Sequence, residues 1–380
     1  MISAEHSPFS LVRLTPTLHQ RFHHVYTATT LSSDGHTLAI GGKGSLGPGG
    51  VEVYRLYSKI WIKLGETIKG VADYDRFGMS VDLSADGNTL VAGGDGYDGG
   101  GNSKGVVRVY TYVSLSEGWV LKGKELVGSS QYDRVGWVVS ISDNGETVAY
   151  GAADGYTEVF SWERTKWSQL GKTLKLGSSA GRSLALSSDG KIMAVGSSGD
   201  SNLRVYQYSN KSWDQRGDVI RGQQNSNAGS AIAISGSGDI VTFGAPLFSS
   251  NAGKVQTVRW TGKAWVVIGI DLEGDYPEDY FGTAVALSKD GQTVAVAAPG
   301  DSNGLSNPWY VRVYTYTDTG RGWVRRGSEI RGDDDSFGTV RGGPNLSISL
   351  SDAGNILAVG SALNDERGDN RGKTLVYHFS

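Results

Sequence analysis

A short turn, a hydrophobic residue followed by Ser-x-Asp-Gly or a weaker form of it, down to Ser235-Gly-Ser-Gly238, and then by an apolar run ending in Gly, recurs seven times along this chain of 380 residues. Its glycines are Gly35, Gly87, Gly145, Gly190, Gly238, Gly291 and Gly354. They stand 45 to 63 residues apart. That period fits propeller blades of roughly 40–50 residues with loop insertions. A repeat of this length cannot bury its own apolar face, so the copies must pack on one another. The repeat spans nearly the whole chain, and we read residues 1–380 as one closed domain.

One copy shows the content of a blade. Trp61 to Gly65 reads as a short strand, residues 73–78 as a turn, Ser80 to Leu83 as a second strand and Ser84 to Asn88 as a tight turn. The Asp-Gly pair there supplies the positive φ that a hairpin needs. Thr89 to Ala92 and Val106 to Tyr112 follow as strands around a Gly-rich loop, the last with the two-residue alternation of a pleated strand. Four antiparallel strands per copy make one propeller blade. The fold class is therefore all-β, a seven-bladed β-propeller of four-stranded antiparallel blades.

Other positions recur with the turn. Trp61, Trp119, Trp167, Trp213, Trp265 and Trp323 open the outer strand. Tyr54, Tyr110, Phe160, Tyr206, Val258, Tyr314 and Tyr377 share one place on the Val-rich strand. Aromatics at blade period belong to the core. Gly78, Gly136, Gly181, Gly229 and Gly282 precede the inner strand, where crowding leaves no space for a Cβ. The chain stops on a third strand at residues 375–380, and residues 11–18 align with the outer-strand phrase at 61–68. The N-terminal strand is thus expected to complete the seventh blade and remove its open edge.

The phrase Asp75-Arg76-Phe77-Gly78, with Phe243-Gly244-Ala245-Pro246, Ala297 to Gly300 and the seven-fold count, resembles the FG-GAP repeats of the integrin α-subunit propeller. The fuller phrase is similar to repeat proteins of marine bacteria and microalgae. The resemblance covers about residues 10–380 and implies the fold. It implies little about activity, because propellers host many unrelated functions. FG-GAP repeats often carry Asp-x-Asp-x-Asp-Gly calcium loops; this chain has no such run, so their calcium sites are not carried over.

Composition excludes several classes. The chain has no Cys, so thiolate chemistry and disulfides are impossible. Lys and Arg number 36 against 39 Asp and Glu, interspersed, for a net charge of −3. That argues against nucleic acid or an anionic membrane as the main partner. No long apolar segment suits membrane insertion, and residues 1–10 lack a signal-peptide pattern. The sequons at Asn210 and Asn345 have meaning only outside the cell and tilt the expected location that way.

In a four-stranded blade the fourth-to-first and second-to-third connections emerge on one face, and here these are the variable, polar ones. Functional residues gather on variable loops held by a rigid scaffold. The expected binding face comprises residues 73–77, 131–137, 275–281 and 333–337, with loops 93–105, 244–254, 297–310 and 360–373. It carries Tyr74, Arg76, Tyr132, Arg134, Trp137, Arg182, Tyr276, Tyr280 and Trp309, a mixture suited to protein or carbohydrate recognition. Trp137 stands out because Met79, Arg182, Ser230 and Thr283 fill the same place elsewhere, so the repeat does not require it.

Several motifs fail on context. Two GxGxxG matches, starting at Gly42 and Gly94, precede strands rather than the helix that binds pyrophosphate. Gly177 to Gly181 mimics a nucleophile elbow without a following helix. The run from Gly368 to Thr374 misses the phosphate-loop spacing by one residue. Arg-Gly-Asp occurs at 216–218, 331–333 and 367–369; the first two are repeat positions, and the third falls in a loop. All six His residues (His6, His19, His23, His24, His36 and His378) lie near the chain ends, without a ligand spacing that defines a metal site. No metal and no cofactor are expected. The leading expectation is a non-enzymatic binding or scaffold module for a protein or glycan. The alternatives are a polysaccharide lyase or hydrolase, using Arg76, Arg134, Arg182, Tyr74, Tyr132 or His23 with Asp75, Asp133 and Asp279 as carboxylates, and a structural or adhesive propeller.

Overall fold

The structure, a computed structural model, describes residues 11–13, 18–19, 27–42, 47–97, 103–177, 180–300, 309–318, 320, 322–331, 346–364 and 371–379. It is a seven-bladed propeller, each blade an antiparallel sheet of four strands, in sequence order from the axis outwards except that the outer strand of the seventh blade comes from the N-terminal end of the chain. Blade two shows the pattern: inner strand Ser80–Leu83, then Thr89–Gly94, Val106–Ser114 and outer strand Gly118–Leu121. A two-residue piece, Leu126–Val127, resumes pairing with the third strand after a break. Every blade has this broken outer strand. The expected strand over 61–65 is thus Ile60–Lys63 followed by Ile68–Lys69, with the Leu-Gly step as a bulge between them.

The inner strands of the seven blades begin at Thr27, Ser80, Val135, Ala180, Ile232, Ala284 and Leu346, and each meets its two neighbours in cyclic order. Closure follows the expectation. Leu11–Arg13 pairs antiparallel with Arg371–Phe379, setting Leu11 opposite Phe379 and Arg13 opposite Tyr377. Leu18–His19 continues the pairing at Thr374 and Lys373.

The core is not one mass but seven slabs, one between each adjacent pair of blades. The second strand of a blade is buried on both faces; in Thr89–Gly94 every residue is buried. Burying one Leu or Val there stabilises by about 1.5–3 kcal/mol relative to leaving it exposed. Backbones approach so closely at the hub that a Cβ on Gly93 would sit 2.1 Å from the carbonyl oxygen of Gly136 in the next blade.

The Trp-x-x-Leu-Gly phrase locks neighbouring blades. The indole of Trp119 donates to the Leu64 carbonyl of the preceding blade at 2.8 Å. Trp167, Trp213 and Trp265 do the same to Lys122, Leu170 and Arg216. Each Trp also packs on the aromatic opposite it across the strand pair, as Tyr208 and Trp213 do at 5.3 Å. Arg216 of the first Arg-Gly-Asp copy is consumed in this lock: its guanidinium lies over Trp260 and binds Asp239 and the Gly238 carbonyl. In the second copy Arg331 pairs with Glu329; the third copy lies outside the described residues.

The Ser-x-Asp-Gly turns form one end of the hub. Ser84 donates to Asp86 at 2.6 Å and receives the Thr89 N–H, while Gly87 sits at φ +66. The residue after each Ser links the blades through its backbone. Ser33 N–H donates to Ala85, Ala85 to Asp143, Asp143 to Ser188, Ser188 to Gly236, Gly236 to Lys289, Lys289 to Asp352 and Asp352 back to Ser33, at 2.8 to 3.0 Å. Lys289 also reaches across the hub, its Nζ 3.0 Å from Asp352 and in contact with Asp143 three blades away. Burial works against its charge, yet the hydrogen bonds it donates to these two carboxylates hold its pKa above the usual lysine value.

Candidate functional site

The opposite end carries the variable connections, and hydrogen bonds show that both kinds share it. Tyr74 and Phe77 of a fourth-to-first connection donate to Gly47 and Pro48 of a second-to-third connection; Arg134 donates likewise to Ser103.

An Asp at the head of Asp-x-Phe-Gly, or of Asp133-Arg134-Val135-Gly136, organises the fourth-to-first connections into blades two, three and six. Asp75, 3% exposed, accepts the N–H groups of Val71 and Ala72 at 2.8 and 2.9 Å. Asp133 accepts from Ser130 N–H and the Ser129 hydroxyl. Asp279 accepts from Asp275 and Tyr276 N–H and from the Tyr310 hydroxyl. These three carboxylates each use one oxygen to hold a turn. The Phe that follows is fully buried, as in Phe77 and Phe281.

The residues on either side of that Asp are left-handed. Tyr74 and Arg76 have φ 67 and 54, Tyr132 and Arg134 have 66 and 52, Glu278 and Tyr280 have 66 and 52. Blade five has Asn225 and Asn227 at these places, the residue type that accepts this region most readily. Each Tyr or Arg held there costs of order 1 kcal/mol. The geometry sets an exposed Tyr (61% for Tyr74, 63% for Tyr132) and an Arg on opposite sides of a buried Asp.

Blades two to four then form an arginine ladder. Asp95, fully buried, accepts on one oxygen from Arg76 at 2.9 Å and from Arg134 at 2.7 and 3.1 Å. The Arg134 guanidinium lies 4.9 Å from the ring centre of Trp137, and that of Arg182 5.3 Å from the same ring. Trp137 and Arg182 occupy matching places at the start of neighbouring inner strands. Arg182 is exposed and has no carboxylate partner among the described residues. Two guanidiniums thus share one carboxylate, and the third, on Arg182, rests on Trp137.

A second cluster, in blade six, supplies its own carboxylate partners. Arg312 is buried, takes Asp275 in a two-bonded pair and Glu329 beside it, and lies 4.3 Å from the Tyr310 ring centre. The hydrogen bonds from Arg312 hold Asp275 below the usual carboxylate range. Burial, with the bond to Asp279, pushes the Tyr310 phenol up, away from use as a base.

Of the nine residues expected on this face, six (Tyr74, Arg76, Tyr132, Arg134, Trp137 and Arg182) are gathered on the fourth-to-first connections and inner-strand starts of blades two to four. Tyr276, exposed, and Tyr280, half-buried, sit on the connection into blade six, apart from the ladder. Trp309 is 5% exposed and packs in the slab between blades six and seven, because it directly precedes the third strand of its blade, Tyr310–Thr317, which carries it into the core. Residues 333–337, with His23 and the middles of loops 93–105, 297–310 and 360–373, lie outside the described residues. Sequence reasoning missed Arg312 and Lys289, and it included Asp95 and Asp275 only within the ranges 93–105 and 275–281 without singling them out. The signal for Asp95 was a charged residue directly after the Gly93-Gly94 end of a buried strand, where blades five and six carry Pro246 and Pro299.

Among the described residues no three His, Asp or Glu side chains converge as a metal site would require, and no helix is long and apolar enough to cross a membrane. No protein-family model matches the chain, and no curated protein is significantly similar to it in sequence.

Proposed function

We propose that residues 1–380 act as one binding or scaffold module, non-enzymatic, that takes its ligand on the face of the variable connections at blades two to four. A propeller is consistent with such a role. The observation that carries the reading is the ladder from Arg76 through Asp95, Arg134 and Trp137 to Arg182. It presents donors from three blades on a rigid ring, with left-handed backbone retained at both Tyr-Asp-Arg turns. Strain of this kind gathers at sites that hold something. The Asp75-Arg76-Phe77-Gly78 phrase supports kinship with FG-GAP repeats, whose propellers include binding domains. The turn roles of Asp75, Asp133 and Asp279 set the hydrolase alternative behind the binding one.

The test is capture from an extract of the source organism on immobilised protein, comparing wild type with a Trp137→Ala/Arg182→Ala double variant and analysing both proteins and sugars. A defined ligand lost in the variant supports the reading. The same bound set on both moves the site elsewhere.

A further inference from the structure

We propose that the ligand of this face is an acidic polysaccharide, whose carboxylate or sulfate groups pair with Arg182 and the outer edges of Arg134 and Arg76. This rests on the binding reading above and adds the chemistry of what is bound.

Trp137 is the first reason. A half-exposed Trp in a loop-rich face would ordinarily offer its ring to a neutral sugar, but this ring already has two guanidiniums over it. A guanidinium lying on an aromatic face keeps its in-plane N–H groups directed outwards, and those groups match a planar oxyanion. The aromatic therefore serves as a bed for arginine, and what the site presents is donors.

Charge is the second. Arg76 and Arg134 share a single oxygen of Asp95, so the arginines of the ladder outnumber its one carboxylate by three to one. The neighbouring carboxylates of Asp75 and Asp133 face inwards to their own turn amides. Asp95 also fixes the directions of both arginines before any ligand arrives, which lowers the ordering cost of binding.

Periodicity is the third. Tyr74 and Tyr132 are equivalent residues of adjacent blades, each exposed and each two residues before a ladder arginine. Apolar ring and cation thus alternate across the face. An acidic sugar polymer alternates in the same way, offering an apolar ring face and an anionic group on each residue. A lone anion would leave the two tyrosines idle.

The experiment is affinity, by calorimetry or interferometry, for four defined probes: polygalacturonate, dextran sulfate, plain dextran and poly-L-glutamate. Proteins are the wild type, Arg182→Ala, Arg182→Lys and Arg164→Ala; Arg164 lies exposed in the third-to-fourth turn of blade three, on the opposite face, and controls for net charge. Thermal melts check that each variant is folded. The acidic polysaccharides should bind and plain dextran should not. Losing the charge-assisted bonds of Arg182 should weaken binding roughly tenfold. Arg182→Lys should recover only part of this, since a point charge replaces a planar fork, and Arg164→Ala should match wild type. Binding of polygalacturonate alone or dextran sulfate alone upholds the proposal and names the anion. Equal binding of plain dextran, equal losses in Arg182→Ala and Arg164→Ala, or poly-L-glutamate binding as tightly as the polysaccharides overturns it. If no probe binds while the extract ligand is still lost in the Trp137/Arg182 double variant, the polysaccharide inference falls and the binding face stands. If the extract ligands are also unchanged, both fall.

Discussion

The indole lock between blades can be weighed in isolation at Trp213. This residue is 6% exposed, and its Nε1 donates to the Leu170 carbonyl of the preceding blade at 2.7 Å. Trp213→Phe keeps an aromatic against Tyr208 but removes that bond. A net hydrogen bond contributes about 0.5–1.5 kcal/mol, and the smaller ring leaves a gap of order 1 kcal/mol, so the change should cost about 2 kcal/mol. Trp213→Ala should cost about 3–5 kcal/mol, the range for truncating a buried Trp. Trp61 supplies the internal comparison. It is 8% exposed, much like Trp213, yet its indole N–H has no partner among the described residues. Trp61→Phe should therefore cost only the packing part, less than Trp213→Phe by about 1 kcal/mol. Urea denaturation followed by tryptophan fluorescence and by far-UV circular dichroism measures all three, with coincidence of the two probes checking that unfolding is two-state. Equal costs for Trp61→Phe and Trp213→Phe would refute the idea that the bond, rather than ring burial, couples the blades.

Three further outcomes follow from the structure. Removing residues 1–19 should strip the outer strand from Arg371–Phe379 and expose its edge; a loss of about 4 kcal/mol would lower the melting temperature by roughly 5 °C, and an unchanged melt would mean that this pairing does not secure the ring. Gly87→Ala should destabilise by about 1–2 kcal/mol from the left-handed backbone alone, and by more because the new Cβ would lie 2.5 Å from Thr37 Oγ1 of the preceding blade; chemical denaturation reads this, and a neutral result would show that the turn relaxes freely. Asp82, on an inner strand, is pushed up to about 6 by burial, against the hydrogen bonds from Ile141, Leu83, Thr30 and Ser140. Its carboxyl is enclosed by these donors although the residue keeps some solvent contact. Its folded pKa lies above the unfolded value, so the folded chain holds a proton that the unfolded chain has released between roughly pH 4 and 6. The contribution favours folding below that window and is lost as pH rises through it. The stability of wild type relative to Asp82→Asn should fall across the window, and a constant difference from pH 4 to 7 would remove Asp82 as its source.

What could be read from residues alone was what depends on short spacing. The Ser84 to Gly87 turn, the inner strand Ser80–Leu83 and the blade count all rest on contacts within a few residues or on strict repetition, and the structure has them in place. The closing strand was legible because residues 11–18 carry the same phrase as an outer strand. The break before Ile68–Lys69 was not, since two residues are too few for an alternation pattern. The ladder was half legible: the arginines and Trp137 could be named as loop residues, but Asp95 stands 39 residues from Arg134 and belongs to another blade. Their meeting depends on how the ring sets one blade beside the next. Trp309 reads as an exposed loop aromatic until the strand beginning at Tyr310 is seen to carry it into the core.

The seven backbone bonds from Ser33 round to Asp352 and back have a thermodynamic consequence. A linear stack of repeats can fray from its ends, and its last units need special caps. This stack has no last unit. Every blade is flanked twice, so opening any one of them removes two slabs of core and two links of the circle together. Individual turns can then decay without local collapse, as Ser235 to Gly238 has: it lacks the Asp, yet Gly236 still donates to Lys289 at 2.8 Å. Tolerance of drift in one blade and cooperative melting of the whole are both expected from the same source, the absence of an end.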